Sequence, residues 1–181
     1  MLRKLFRFLL ALISFKLGST YDKFATEFKN GNPNDIPINT SPFARIGNGY
    51  YFISTQTANW FMAYEICRKL GSELVTFETQ EEHCDIQAHL QKKVLKGNTV
   101  MYWTSGNDLA KSGVYNWFSN AKPIKIKGWA KGQPDNYQNK ERCVYMSSKD
   151  QYFMSDGRCE YYKRYICEAP KQETISIVVW K

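Results

Sequence analysis

Five cysteines, Cys67, Cys84, Cys143, Cys159 and Cys167, constrain this chain more than any other feature. How they are read depends on the compartment, and the N-terminus bears on that. It runs MLRKLFRFLLALISFKLGS: a basic start, an apolar run from Phe8 to Phe15, then Lys16 and the small residues Gly18 and Ser19. Such a run is too short to cross a bilayer, which takes ~20 apolar residues. It matches the apolar core of a secretory signal peptide, over about residues 1–18. No other apolar stretch is long enough for a membrane, so the expected protein is secreted and extracellular, with no membrane span. Cysteines that mature in an oxidising compartment are read as bridges first. Two bridges and one leftover thiol is the simplest account; five choices of leftover with three connectivities each leave fifteen pairings open. Zinc is the weaker reading, because there is no CxxC pair and only His83 and His89 are available.

With 181 residues, 43% of them hydrophobic and 15% aromatic, the chain fits one folded domain with tails and is not a disordered polymer. The formal charge is +8, but Arg3, Lys4, Arg7 and Lys16 supply four of those charges in an N-terminal stretch without acids. The remainder is only weakly basic, and no nucleic-acid partner is indicated. Residues 19–44 hold four Asn and three Pro and read as a weakly ordered N-terminal segment. Asn39-Thr40-Ser41 within it is a glycosylation sequon.

From Arg45 the texture changes. Tyr50–Ile53, after Gly47 and Gly49, reads as a short strand. Trp60, Ala63, Tyr64, Cys67 and Leu70 recur at helical spacing, with Gly71 as a stop. Thr79 and Glu82 form a capping box for a second helix, whose stripe is His83, Ile86 and Leu90. In that stripe His83 reads as a packed histidine. Val100–Thr104 is a buried-strand candidate, with shorter strands around Cys143–Met146 and Tyr161–Cys167. Residues 105–140, rich in Gly, Asn, Lys and Trp, have little periodicity, and a loop that long is commonly functional. Two helices followed by several strands predict an α+β fold.

The chemistry concentrates around Trp129-Ala130-Lys131-Gly132-Gln133-Pro134-Asp135-Asn136. Gln133 and Asp135 flank a proline, Glu141 follows six residues after Asp135, and Ser155-Asp156 stands just before Cys159. Hard cations such as Ca²⁺ take 6–8 oxygen ligands, and these side chains offer oxygens only. An ion in an open loop can accept two sugar hydroxyls directly. No HExxH, GxSxG, P-loop or Rossmann fingerprint is present, so the acids read as ion ligands of a binding module, not as the acid and base of an enzyme.

Several separate pieces together resemble the C-type lectin domain. They are the Trp60–Leu70 helix with Cys67, the stretch Tyr102-Trp103-Thr104-Ser105-Gly106, then Gly113…Trp117, the Trp129…Asn136 segment, and Cys143, Cys159 and Cys167 in order. The resemblance covers about residues 45–169, leaves 170–181 as a C-terminal tail, and points to small secreted invertebrate lectins with a single domain. It implies a C-type lectin-like fold: two helices packed on antiparallel sheets, with a long irregular loop region for calcium and sugar. It implies the bridges Cys67–Cys167 and Cys143–Cys159, a short form without an extra N-terminal pair. It implies Ca²⁺ held by Gln133, Asp135, Glu141, Ser155 and Asp156, with a cis bond before Pro134. Ser155 stands where the family usually has Asn, and Arg142 where an acid would serve an auxiliary calcium site.

The same residues with Tyr137 would bind the sugar. In the family, Gln-Pro-Asp goes with galactose-type diols and Glu-Pro-Asn with mannose-type ones. A Gln amide donates and accepts whereas an ionised Asp only accepts, so the exchange alters which hydroxyl pair fits. Tyr137 reads either as a stacking platform for the ring or as a packed loop aromatic. Lys122, Lys125, Lys127 and Lys131 read as a solvated loop or as a basic rim for acidic glycans. The implied partners are galactose-containing glycans on cell or microbial surfaces, with agglutination in innate immunity. The alternatives are a reproductive-fluid lectin, or a lectin-like domain that has lost calcium and sugar binding and recognises a protein. Cys84 lies on a polar helix flank with Gln87, Ala88 and Gln91. It is either the link of a disulfide-bonded homodimer or a buried free thiol.

Overall fold

The computed structural model describes residues 41–92 and 99–171. The expected signal peptide, the Asn39 sequon and the tail beyond Lys171 lie outside the described residues. Ten principal elements follow in order: β1 (Ala44–Ile46), β2 (Gly49–Ile53), α1 (Trp60–Lys69), β3 (Glu73–Leu74), α2 (Gln80–Gln91), β4 (Met101–Asn107), β5 (Asn116–Trp117), β6 (Cys143–Ser147), β7 (Met154–Gly157) and β8 (Arg164–Glu168).

Both helices start at side-chain caps. Asn59 Oδ1 accepts from the Met62 N–H at 2.8 Å, and α1 buries Trp60, Ala63 and Cys67 along one face. It ends where Gly71 takes a left-handed φ of +67°, a conformation that costs a residue with a Cβ. At α2, Thr79 Oγ1 accepts from the Glu82 N–H at 3.1 Å, half of the expected capping box. The reciprocal half is redirected. Glu82 accepts from the Glu78 N–H at 2.9 Å and from the Tyr51 hydroxyl at 2.6 Å, so a local capping residue becomes a tie between α2 and β2. His83, Ile86 and Leu90 form the buried stripe of α2. His83 packs edge-on against Phe77, and burial pushes its pKa down to about 4, so it is neutral at physiological pH.

The sheet order is β1-β2-β8-β4-β6-β7, with β3 on β8 and β5 on β4. Its pairs are antiparallel except β4 with β8, which run parallel at Tyr102↔Arg164 and Trp103↔Tyr165. An all-antiparallel expectation is therefore corrected to a mixed sheet. The last strand returns between β2 and β4; being antiparallel to β2, it runs alongside β4 in the same direction. Strand alternation then sorts side chains onto two cores. Tyr102, Val144, Met146, Met154 and Ile166 face α2's Ile86 and Leu90. Trp103, Cys143, Tyr165 and Cys167 face α1's Trp60, Ala63 and Cys67.

Both disulfides, Cys67–Cys167 and Cys143–Cys159, lie in the α1 core. The first ties α1 to β8 across a sequence separation of 100, the second closes a separation of 16. Chain-entropy arguments give about 4.7 kcal/mol for a loop of the first length and about 3 kcal/mol for the second. Replacing Cys67 and Cys167 together by Ala is expected to lower unfolding stability more than the same change at Cys143 and Cys159. Urea midpoints with matched slopes would check the order.

Candidate functional site

The segment between β4 and β6 has little regular structure, yet it is fixed at its base, its middle and its tip. At the base, the Arg142 guanidinium pairs with the buried Asp108 carboxylate, whose other oxygen accepts from the Gly113 N–H at 2.6 Å. In the middle, Met154 of β7 donates its N–H to Gly128 O and accepts from the Ala130 N–H, at 2.7 and 2.8 Å. At the tip, Asp156 of β7 is 1% exposed and gathers three donors: the N–H groups of Asp135 (3.0 Å) and Asn136 (2.8 Å), and the Tyr115 hydroxyl (2.6 Å). Its own N–H donates to Gln133 Oε1 at 3.3 Å. The Gln133–Pro134 bond is cis, and Asn136 is left-handed with φ +44°. Asn136 Oδ1 accepts from the Glu141 N–H at 3.2 Å, bringing Glu141 back over the turn.

The outcome is a cluster of acids. Carboxylate oxygens of Asp135, Glu141 and Asp156 lie within 4.8 Å of one another. Burial first, then the charges of Asp156 and Asp135, raise the Glu141 carboxyl above its ordinary range. Burial and the bond to Asp156 raise Tyr115 as well, so it stays a protonated donor. In the ion-free protein, ionising Glu141 is harder folded than unfolded. Its contribution to stability is therefore lost as pH rises through its folded range. Three carboxylates with an amide oxygen alongside are a donor set suited to a hard divalent cation, and a cation would relieve their repulsion.

Residues 56–169 match the family profile described as Lectin C-type domain. The chain belongs to the C-type lectin family. It is 44% identical, over the full length of both chains, to C-type lectin 37Da of Drosophila melanogaster. The galactose-specific lectin nattectin of Thalassophryne nattereri is 31% identical over 60% of this chain and 66% of its own. Among solved structures, the mouse scavenger receptor C-type lectin carbohydrate-recognition domain aligns with a TM-score of 0.62 at 23% identity, covering 72% of this chain and 96% of its own. The C-type lectin CEL-I of Cucumaria echinata aligns at 0.63 and 19% identity, over 73% and 97%. These two structures share the fold of this lectin domain.

The lectin domain brings Gln133, Asp135, Glu141 and Asp156 together. Tyr137 stands beside them, its N–H on Asp135 Oδ1 at 3.2 Å and the residue 63% exposed. Ser155 is buried in β7, in register with Tyr145 of β6, and strand alternation sets its side chain on the face opposite Asp156. Behind that tyrosine, Lys163 is buried with its ammonium 4.3 Å over the Tyr145 ring and 4.8 Å over Trp103. Burial lowers its pKa to about 8. Tyr115, Asp108 and Lys163 carry no motif; each acquires its role from a partner far away in sequence. Only Arg142 gave a signal, a base directly after Glu141. Its guanidinium now occupies the loop base as an internal cation.

Removing that cation leaves a buried carboxylate without its partner, which typically costs 3–5 kcal/mol. Arg142→Ala is expected to destabilise the domain by about 3 kcal/mol, with Arg142→Lys recovering part of the loss. Chemical denaturation followed by tryptophan fluorescence would measure both.

Proposed function

We propose that this lectin domain binds galactose-terminated glycans through a Ca²⁺ ion held by Gln133, Asp135, Glu141 and Asp156. We propose further that it is a secreted protein acting in surface recognition or agglutination, as in innate immunity. The observation that carries the reading is the convergence of Asp135, Glu141 and Asp156 within 4.8 Å beside Gln133. Neutral hydroxyls are poor partners for a bare cluster of carboxylates. The bound ion supplies open coordination positions for two adjacent sugar hydroxyls. Around it Gln133 can donate or accept at one side of the diol, and Asp135 accepts at the other. The exposed Tyr137 ring would stack on the apolar face of the sugar. Galactose preference draws on the Gln133-Pro134-Asp135 order and on the similarity to nattectin. Because Glu141 holds its proton above the ordinary carboxylate range, acidification is expected to weaken ion binding earlier than for a solvated glutamate.

A glycan array read with calcium and with chelator tests the proposal. Galactose-terminated glycans should be retained only with calcium, and undiminished retention in chelator would overturn it. Gln133→Glu combined with Asp135→Asn should narrow or reverse the preference over mannose.

Ser155 would be the weakest addition to this ligand set, since its hydroxyl is short and strand alternation sets it on the face opposite Asp156. Calorimetric titration with Ca²⁺ should show Glu141→Gln losing at least about tenfold in affinity, the loss of one charge-assisted contact. Ser155→Ala should lose less than about threefold; the reverse order would put Ser155 among the direct ligands. The placement of Ser155 also favours a second reading, a lectin-like domain that recognises protein, and a wild-type protein without calcium heat would select it.

Cys84 is exposed on α2, with only a 3.7 Å contact from the Gln80 amide, so the buried-thiol reading gives way to an accessible one. An accessible thiol in a secreted chain suits a disulfide-linked homodimer, which would raise avidity for cell surfaces. A non-reducing gel of freshly secreted protein should show a dimer that Cys84→Ser abolishes.

A further inference from the structure

The long loop carries, beside the acidic tip, a strip of the opposite charge. Over residues 122–127 isoleucines and lysines interleave: Ile124 and Ile126 are half-buried against the α2 core, while Lys122, Lys125 and Lys127 point to solvent. Lys131 is exposed too, two residues before Gln133. The strip is held in place by the Lys127 N–H on Gln80 Oε1 at 2.8 Å and by the Ile124 N–H on Tyr115 O at 3.0 Å. Its charge is not neutralised locally. Lys122 pairs with Glu78, which also takes Lys171, whereas Lys125, Lys127 and Lys131 have no ion pair among the described residues. At the strip lies a cavity of about 220 Å³ lined by Phe77, Trp117 and Ile126 together with Lys122, Lys125 and Glu78, whose carboxylate is paired with Lys122 and Lys171.

An apolar lining together with cationic groups suits a sugar ring that bears anionic substituents. Several exposed ammoniums spread along one segment suit a polymer of such units. A flat anionic surface could meet the lysines but would not enter the cavity. We propose that the strip and its cavity form a second subsite for sulfate- or carboxylate-bearing saccharide units, beside the galactose site and independent of Ca²⁺. Ammonium–anion attraction needs no metal, so this subsite stands or falls separately from the calcium-dependent reading.

The test uses the full-length secreted protein in chelator, with an immobilised heparin-type sulfated polysaccharide and its desulfated counterpart as probes. Retention on the sulfated polymer is expected, with affinity falling linearly on logarithmic axes as salt rises; counterion release on polyanions gives a slope change of about one per lysine removed. Lys125→Gln with Lys127→Gln should therefore lose about tenfold in affinity at 0.1 M salt and flatten the slope by about two. Lys125→Arg with Lys127→Arg should retain binding. Both variants should keep wild-type galactose binding in calcium, which also shows that they are folded. Unchanged affinity in the Gln variant, or equal binding to the desulfated polymer, would overturn the proposal. Equal retention by phosphatidylserine vesicles with the same lysine dependence would overturn it as well, in favour of a membrane surface.

Discussion

Asp156 is a buried carboxylate near the end of β7, the last strand of the sheet, and a buried charge has to be surrounded by donors. Its three donors come from two distant parts of the chain: the backbone of Asp135 and Asn136, and the hydroxyl of Tyr115. Satisfying one anion thus folds the loop tip onto the sheet and fixes its height above β7. Gln133 completes the tie from the other direction by accepting the Asp156 N–H. Glu141 and Asp135 are then held close enough for their charges to oppose one another, which is the electrostatic condition for holding a cation.

A loop can be this irregular because the scaffold under it is over-determined. The Cys67–Cys167 bridge joins α1 to β8, and Cys143–Cys159 anchors the start of β6 directly below the site. Trp60 and Trp103 donate their indole N–H groups to Thr104 O and Ala58 O, so the largest core side chains also satisfy backbone carbonyls. At the loop base Arg142 and Asp108 neutralise each other within the protein, in contrast to the tip, where no basic side chain among the described residues pairs with the carboxylates. One end of the loop therefore carries its own cation, and the other concentrates negative charge.

The same loop separates its charges along the chain. Acids converge at 135, 141 and 156, while the lysines from 122 to 131 stay in solvent because the isoleucines between them have claimed the inward positions. Packing of Ile124 and Ile126 against the core, rather than any attraction between the lysines, leaves the lysines exposed. The site and the strip are in this sense two outputs of one packing decision.

Much of the fold was legible before any coordinates. Trp60, Ala63 and Cys67 marked α1 by spacing and Thr79 marked the start of α2, because each signal is a local pattern that acts over one turn; Asp135, Glu141 and Asp156, singled out as oxygen donors, lie together in the fold. The roles of Tyr115, Asp108 and Lys163 were not legible, nor was the parallel β4–β8 pair. Tyr115 meets Asp156 across 41 residues and Asp108 meets Arg142 across 34, separations over which no local pattern records a partner. Ser155 illustrates the boundary most clearly. The family resemblance implies it as an ion ligand beside Asp156, whereas the strand register sets it opposite Tyr145, and adjacent side chains in a strand leave opposite faces. The sequence by itself determined which oxygen-bearing and basic side chains the loop has; the tertiary structure decided which of them share a point in space, because only the closed sheet and its two bridges set the distances between residues so far apart in the chain.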